Sequence, residues 1–168
     1  YTGFSAGIRA GMSGIMIGDY VTEPTLISPK LTGLQQNGVL IAMHSGNKSE
    51  VCISNGVFDE LVTGIHINSG FVSAAGNRYS NLLYAYSIDG STQRLKASSE
   101  HYDATVTTPC YLTSDTRFVH IDESCTSESG FGSSFFAGPG KSISFISVES
   151  EITSSYNLQN FSNYQELY

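Results

Sequence analysis

A short apolar strand recurs through this chain at nearly fixed spacing, and that repeat limits what the chain can fold into. Gly14-Ile15-Met16-Ile17-Gly18, Gly38-Val39-Leu40-Ile41-Ala42 and Gly64-Ile65-His66-Ile67-Asn68 begin 24 and 26 residues apart (38 − 14 and 64 − 38). Phe118-Val119-His120-Ile121-Asp122 follows 54 residues later (118 − 64), which reads as two steps of 27, and Ile143-Ser144-Phe145 continues the series. Self-similarity at such a period marks a stacked repeat architecture. A second segment repeats beside the first. Leu26-Ile27-Ser28-Pro29-Lys30-Leu31 aligns with Cys52-Ile53-Ser54-Asn55-Gly56-Val57, and Ala74-Ala75-Gly76-Asn77-Arg78-Tyr79 is a third version. No stretch keeps a 3.6-residue apolar period, so a helical solenoid is disfavoured. One such unit cannot bury its own apolar face. Stacked units can, with strands about 4.8 Å apart and hydrogen bonds running between units. The reading is all-β, a parallel β-helix.

Alternation along a strand sets side-chain direction. Ile15 and Ile17, Val39 and Ile41, and Ile65 and Ile67 are expected inside, stacked on one another. Met16, Leu40 and His66 then form one outward column, because the opposite choice would bury an unpaired histidine among apolar groups. Outward Met16 and Leu40 point to an interface beneath that column.

Charged residues make up only 14% of the 168, and the formal net charge is −7 with Lys plus Arg at 8. A nucleic-acid partner needs a basic face, and an anionic membrane surface needs basic residues too. Both are disfavoured, while neutral polymers and carbohydrate stay open. No run of about 18 apolar residues is present for a transmembrane helix. Cys52, Cys110 and Cys125 show neither a disulfide framework nor metal-ligand spacing, and the alignment with Leu26 makes Cys52 a small buried hydrophobe. The expectation is no cofactor and no metal. A start at Tyr1 within what looks like a rung suggests a piece of a longer chain.

Residues 1–149 are read as the β-helix, clear over 14–82 and weaker over 83–149, and 150–168 as a polar, aromatic tail. The segment from Leu82 to Ala97, with Asp89-Gly90 inside it, reads as a hairpin or a distorted rung. Gly138-Pro139-Gly140-Lys141-Ser142 ends like a phosphate loop, but Phe135 stands where the first glycine is required, and a Gly-Pro-Gly turn explains it.

With its G-[IV]-x-I strand and I-S-N-G second strand in rungs of about 24–27 residues, the chain resembles the right-handed parallel β-helices of the pectate-lyase-like superfamily. Its Gly-, Ser- and Tyr-rich, poorly charged composition makes bacteriophage tailspike and tail-fibre proteins the most similar group. That resemblance implies a homotrimer in a virion tail or outside the cell, contacts with other tail proteins, and binding of host surface polysaccharide with or without its cleavage.

Glycoside hydrolysis needs two carboxylates across the scissile bond. Asp59 with Glu60 is the first candidate pair, and Asp122 with Glu123, beside His120, is the second. Solvated turn charges are the plainer account of both. Tyr79, Tyr84 and Tyr86, with His66, are the candidate sugar contacts, since an aromatic ring offers a flat apolar face with a polar edge. Packing at the end of the regular rungs is the plainer account of the tyrosines. Three functions follow: a receptor-binding tail component that adheres to host glycan, a polysaccharide-degrading hydrolase or lyase, and a structural trimeric stem. The fold alone cannot separate them.

Overall fold

The computed structural model describes residues 13–18, 23–33, 36–42, 50–89, 93–140 and 142–146. The incomplete first rung expected before residue 13 and the tail expected over 150–168 lie outside them. Strands β1 (Ser13–Gly18), β2 (Thr25–Ile27) and β3 (Lys30–Thr32) open the chain. The same order then recurs as β4 (Asn37–Ala42), β5 (Glu50–Ser54) and the long β6 (Val57–Ser69). Next come β7 (Phe71–Ala75), β8 (Arg78–Ile88), β9 (Arg94–Ser98), β10 (His101–Tyr102) and β11 (Thr108–Leu112). The last are β12 (Thr116–Ile121), β13 (Thr126–Ser127), β14 (Phe136–Ala137) and β15 (Ser142–Ile146).

Every pairing among these strands is parallel, each strand lying on its counterpart in the next coil. One sheet runs β1-β4-β6-β8, continued by β11 and β14 on one half and by β10 and β13 on the other, with β3 against the first half of β6. The second sheet runs β2-β5-β7-β9-β12-β15. This is a parallel β-helix, a solenoid of stacked coils. Glu60 and Asn81, at φ 54 and 52, bend β6 and β8 so that each serves two walls of the first sheet. Ser28, Asn55, Gly76 and Ser99 make the other stacked corner, also at positive φ. A left-handed residue turns the chain sharply without a loop, and glycine and asparagine bear it at least cost.

The repeat is in the expected register where it is clearest. Ile15 lies opposite Val39 and Val39 opposite Ile65, and Ile17, Ile41 and Ile67 form the next column. All are buried except Ile15, which is half-buried against the core. Full burial of each such side chain contributes roughly 1.5–3 kcal/mol. The motif's glycine is a matter of space. A Cβ on Gly64 would come within 2.8 Å of the Ala85 carbonyl oxygen, and one on Gly38 within 2.7 Å of the Gly64 carbonyl oxygen. Neighbouring coils approach too closely there for any side chain.

The register departs from expectation further on. Ile65 faces Tyr86 and Ile53 faces Ala74, a step of 21 in both sheets (86 − 65 and 74 − 53). The short coil arises because Gly70 alone, at φ 119, links β6 to β7. Leu82–Ala97 holds no hairpin, since β8 and β9 lie in different sheets and each continues a parallel stack. Phe118–Ile121 and Ile143–Phe145 do not continue the Ile65 column. They belong to the second sheet, where Ile121 lies opposite Ala97. The Ile65 column instead passes through Tyr86 and Cys110 to Phe136. Cys52 is exposed, because Leu26 pairs with Ile53 and Cys52 pairs with Thr25 on the outer side. Cys110 and Cys125 are buried; burial pushes both thiols up, that of Cys125 to about 11.

Candidate functional site

Tyr79 and Tyr86 are fully buried, which corrects the expectation that they offer rings to a ligand. Tyr79 is the middle of an interior aromatic ladder. Its ring stacks on Phe58 at 5.2 Å and on Tyr102 at 5.4 Å, and Tyr102 meets Phe135 edge-on at 5.3 Å. The Tyr79 hydroxyl donates to the Tyr86 hydroxyl at 2.8 Å, and the Tyr86 hydroxyl donates to the Glu100 carboxylate at 2.5 Å. Glu100 is 1% exposed. The Asn77 backbone N–H and side-chain amide also donate to it, at 3.1 and 3.0 Å. Asn77 reaches the preceding coil as well, accepting from the Gly56 N–H at 2.7 Å and donating to the Ile53 carbonyl at 3.0 Å. Burial raises the Glu100 carboxyl above its usual range against the lowering effect of these bonds, and burial beside Glu100 pushes the tyrosines well up. This cluster was not legible before folding, because nothing local distinguishes Glu100 from a surface turn residue.

The carboxylate candidates are held by corner hydrogen bonds. Asp59 accepts from the Asn81 side-chain amide and the Ser80 hydroxyl, both at 2.8 Å, which hold its carboxyl below the usual range. Glu60, next to it, is an exposed corner residue. Asp122 accepts from the Ser124 N–H at 2.9 Å and hydroxyl at 2.7 Å, with the same lowering effect, and Glu123 is exposed beside it. Asp59 lies on β6 in the first sheet, and Asp122 follows β12 of the second. A general acid needs a raised pKa near working pH, and these two aspartates are shifted the other way. Among the described residues, no three His, Cys, Asp or Glu side chains are grouped as a metal ion would require.

The remaining candidates meet on the outer face of the first sheet. Met16, Leu40, His66, Ser87 and Tyr111 are successive register partners across β1, β4, β6, β8 and β11. Met16 is 37% exposed and Leu40 half-buried, so the apolar end of this column faces outward as expected. Tyr84 and Tyr111, both half-buried, stack at 4.5 Å with an interplanar angle of 25°. Beside them, His66 Nε2 lies 2.7 Å from Asp89 Oδ2. An ionised carboxylate only accepts, so the histidine N–H donates. Asn68 donates to the same oxygen at 3.3 Å and Thr113 to the other at 2.7 Å. Burial works upward on Asp89, but bonds from Thr113 and His66 outweigh it and hold the carboxyl lowered. Three side chains, those of His66, Asn68 and Thr113, are thus fixed around one carboxylate, and with Asp89 they come from three consecutive coils, next to an aromatic pair.

Tyr111, Asp89 and Thr113 were absent from the sequence-based candidates. A step of 21 from Ile67 to Ile88 would have set Asp89 opposite Asn68, but the hairpin reading of Asp89-Gly90 hid that register. No protein-family model, curated protein or solved structure matches the chain.

Proposed function

We propose that this chain is the adhesive part of a homotrimeric phage tailspike or tail fibre that holds host surface polysaccharide on the outer face of its first sheet. The observation that carries the reading is the Tyr84–Tyr111 stack beside the His66–Asp89–Thr113 network. An aromatic pair gives a sugar ring an apolar platform, and fixed polar groups at its edge meet the hydroxyls. A β-helix wall is long and shallow, which suits an extended polymer better than a small metabolite. Met16 and Leu40, at the other end of the same column, supply apolar surface for a closed symmetric contact between copies. Asp59 and Asp122, each held below the usual carboxylate range by corner hydrogen bonds, favour binding over cleavage.

The test is to mix the protein with host surface polysaccharide and measure retention, new reducing ends and the mass of the protein by light scattering. Retention without reducing ends, on a trimer, is the expected result. Reducing ends that vanish in Asp59→Asn/Glu60→Gln would move the reading to a hydrolase. Absence of retention on every host glycan would leave a structural stem, and a concentration-independent monomer would remove the trimer.

A further inference from the structure

We infer that Ser87, His66 and Asp89 form a nucleophile–base–carboxylate relay on the outer face of the first sheet, one that hydrolyses a short-chain acyl ester. The activity goes beyond adhesion, since removing an acyl group leaves a polymer whole and frees no reducing end. That the ester is carried on a sugar rests on the adhesion reading; the relay does not.

Attack by serine needs a hydroxyl, a base beside it and a group that orients the base. The strand register brings all three together. Ser87 on β8 is the register partner of His66 on β6. Tyr86 and Ile88, on either side of Ser87, are buried, as are Ile65 and Ile67 on either side of His66. Both side chains therefore leave the outer face, from strands about 4.8 Å apart. His66 Nε2 lies 2.7 Å from Asp89 Oδ2 and donates its proton there. Nδ1 of the neutral ring is then the unprotonated nitrogen, and it is the one nearer the backbone, at the height of a serine hydroxyl. The two ring nitrogens exchange the roles they have in the serine-protease triad. Imidazole permits this, because either nitrogen can accept while the other donates.

Asp89 is a positioning residue. Thr113 and Asn68 donate to it at 2.7 and 3.3 Å, so its own orientation is fixed. Held below the usual range, it stays a carboxylate at neutral pH and balances the charge an imidazolium would gain. Among the described residues, no hydrogen bond ties up the Ser87 hydroxyl. Its bond to His66 is one that closes when an ester binds, as catalytic hydrogen bonds often do. Ser87 is 8% exposed, so an ester must be pressed onto the wall to reach it. Tyr111, the other register partner of Ser87, supplies that platform with Tyr84. Between His66 and Tyr111 on a flat wall there is room for a small acyl group such as acetyl.

In the first step Ser87 Oγ bonds to the ester carbonyl carbon, and its proton passes to His66 Nδ1. The bond from that carbon to the alcohol oxygen breaks, and the alcohol leaves with the proton. Water then attacks the acyl-serine and gives a proton to His66. The bond to Ser87 Oγ breaks, the serine regains the proton, and the free acid departs.

The experiment treats the full chain with a fluorophosphonate and, separately, with p-nitrophenyl acetate. Peptide mass spectrometry is expected to place the phosphonyl group on Ser87, and p-nitrophenol release should exceed that in buffer. Ser87→Ala should lose both, with its circular dichroism unchanged. His66→Ala should lower kcat by about 10²–10⁴-fold, the usual worth of a general base. Asp89→Asn should lower kcat with KM little altered, a split that a merely structural role would not give. Absence of label from Ser87, label on a different residue, or turnover unchanged in Ser87→Ala would overturn the inference. Host-glycan retention is measured apart and decides the adhesion reading alone.

Discussion

Replacing Glu100 with alanine is expected to destabilise the fold by about 3–5 kcal/mol, whereas Glu100→Gln costs under about 1 kcal/mol at acidic pH. Alanine leaves the Tyr86 hydroxyl and the Asn77 backbone N–H buried without an acceptor, and leaves the Asn77 side-chain amide only its bond to the Ile53 carbonyl. Each such group costs about 1–3 kcal/mol, and the void adds to it. Glutamine keeps the shape and an acceptor oxygen for Asn77, and the Tyr86 hydroxyl can turn to accept from its amide. The two variants also separate by pH. Burial raises the folded-state pKa of Glu100 above its unfolded value. The stability this gives is complete below the unfolded pKa and is lost as pH rises through the folded one. The corner aspartates run oppositely. Asp59, Asp89 and Asp122 are lowered, so their contribution is present above the unfolded pKa and is lost as pH falls through the folded one. Urea unfolding of wild type and Glu100→Gln across this range isolates Glu100, because the aspartates cancel in the difference. The glutamine variant should gain on wild type as pH rises. A pH-independent difference would mean that Glu100 does not ionise with a raised pKa in the folded state.

Tyr79→Ala should cost about 3–5 kcal/mol, and Tyr79→Phe only about 1 kcal/mol. The alanine variant opens the middle of the aromatic ladder and removes ring contacts to Phe58 and Tyr102 at once. These rings come from successive coils, so the loss severs packing between rungs as well as within one. Phenylalanine keeps the stack and deletes only the hydroxyl that donates to Tyr86, which retains its own bond to Glu100. Chemical denaturation read by tyrosine fluorescence and circular dichroism measures both. Equal losses in the two variants would place the importance of Tyr79 in its hydrogen bond and not in the ladder.

The stacked columns were legible in the sequence wherever an aliphatic residue filled the slot. Gly-Ile-x-Ile and Gly-Val-x-Ile announce an inward pair, an outward residue and a glycine at a close approach. The pattern became opaque where the slot changed chemistry. Tyr86 and Cys110 follow Ile65 in the column, so an apolar template skips them and settles on Phe118–Asp122, which has the right letters in the wrong sheet. One shortened link, at Gly70, shifted the register by several residues and displaced Asp89 from its true partner, and a step of 27 between β2 and β5 (52 − 25) in place of 26 displaced Cys52. Of the candidate site, His66 and Tyr84 were legible as outward or aromatic residues. Their partners Asp89, Thr113 and Tyr111 come from other coils, and only the register joins them.

The most direct test of polysaccharide adhesion is the affinity of Tyr84→Ala/Tyr111→Ala for the host's surface polysaccharide, set against that of the unaltered protein. Both rings are half-buried on the outer wall, outside the interior ladder, so the variant should fold and unfold as wild type does. The predicted result is binding about 30-fold weaker, the loss of about 2 kcal/mol expected of an aromatic anchor. Wild-type affinity in that variant would contradict the assignment of the site to this face.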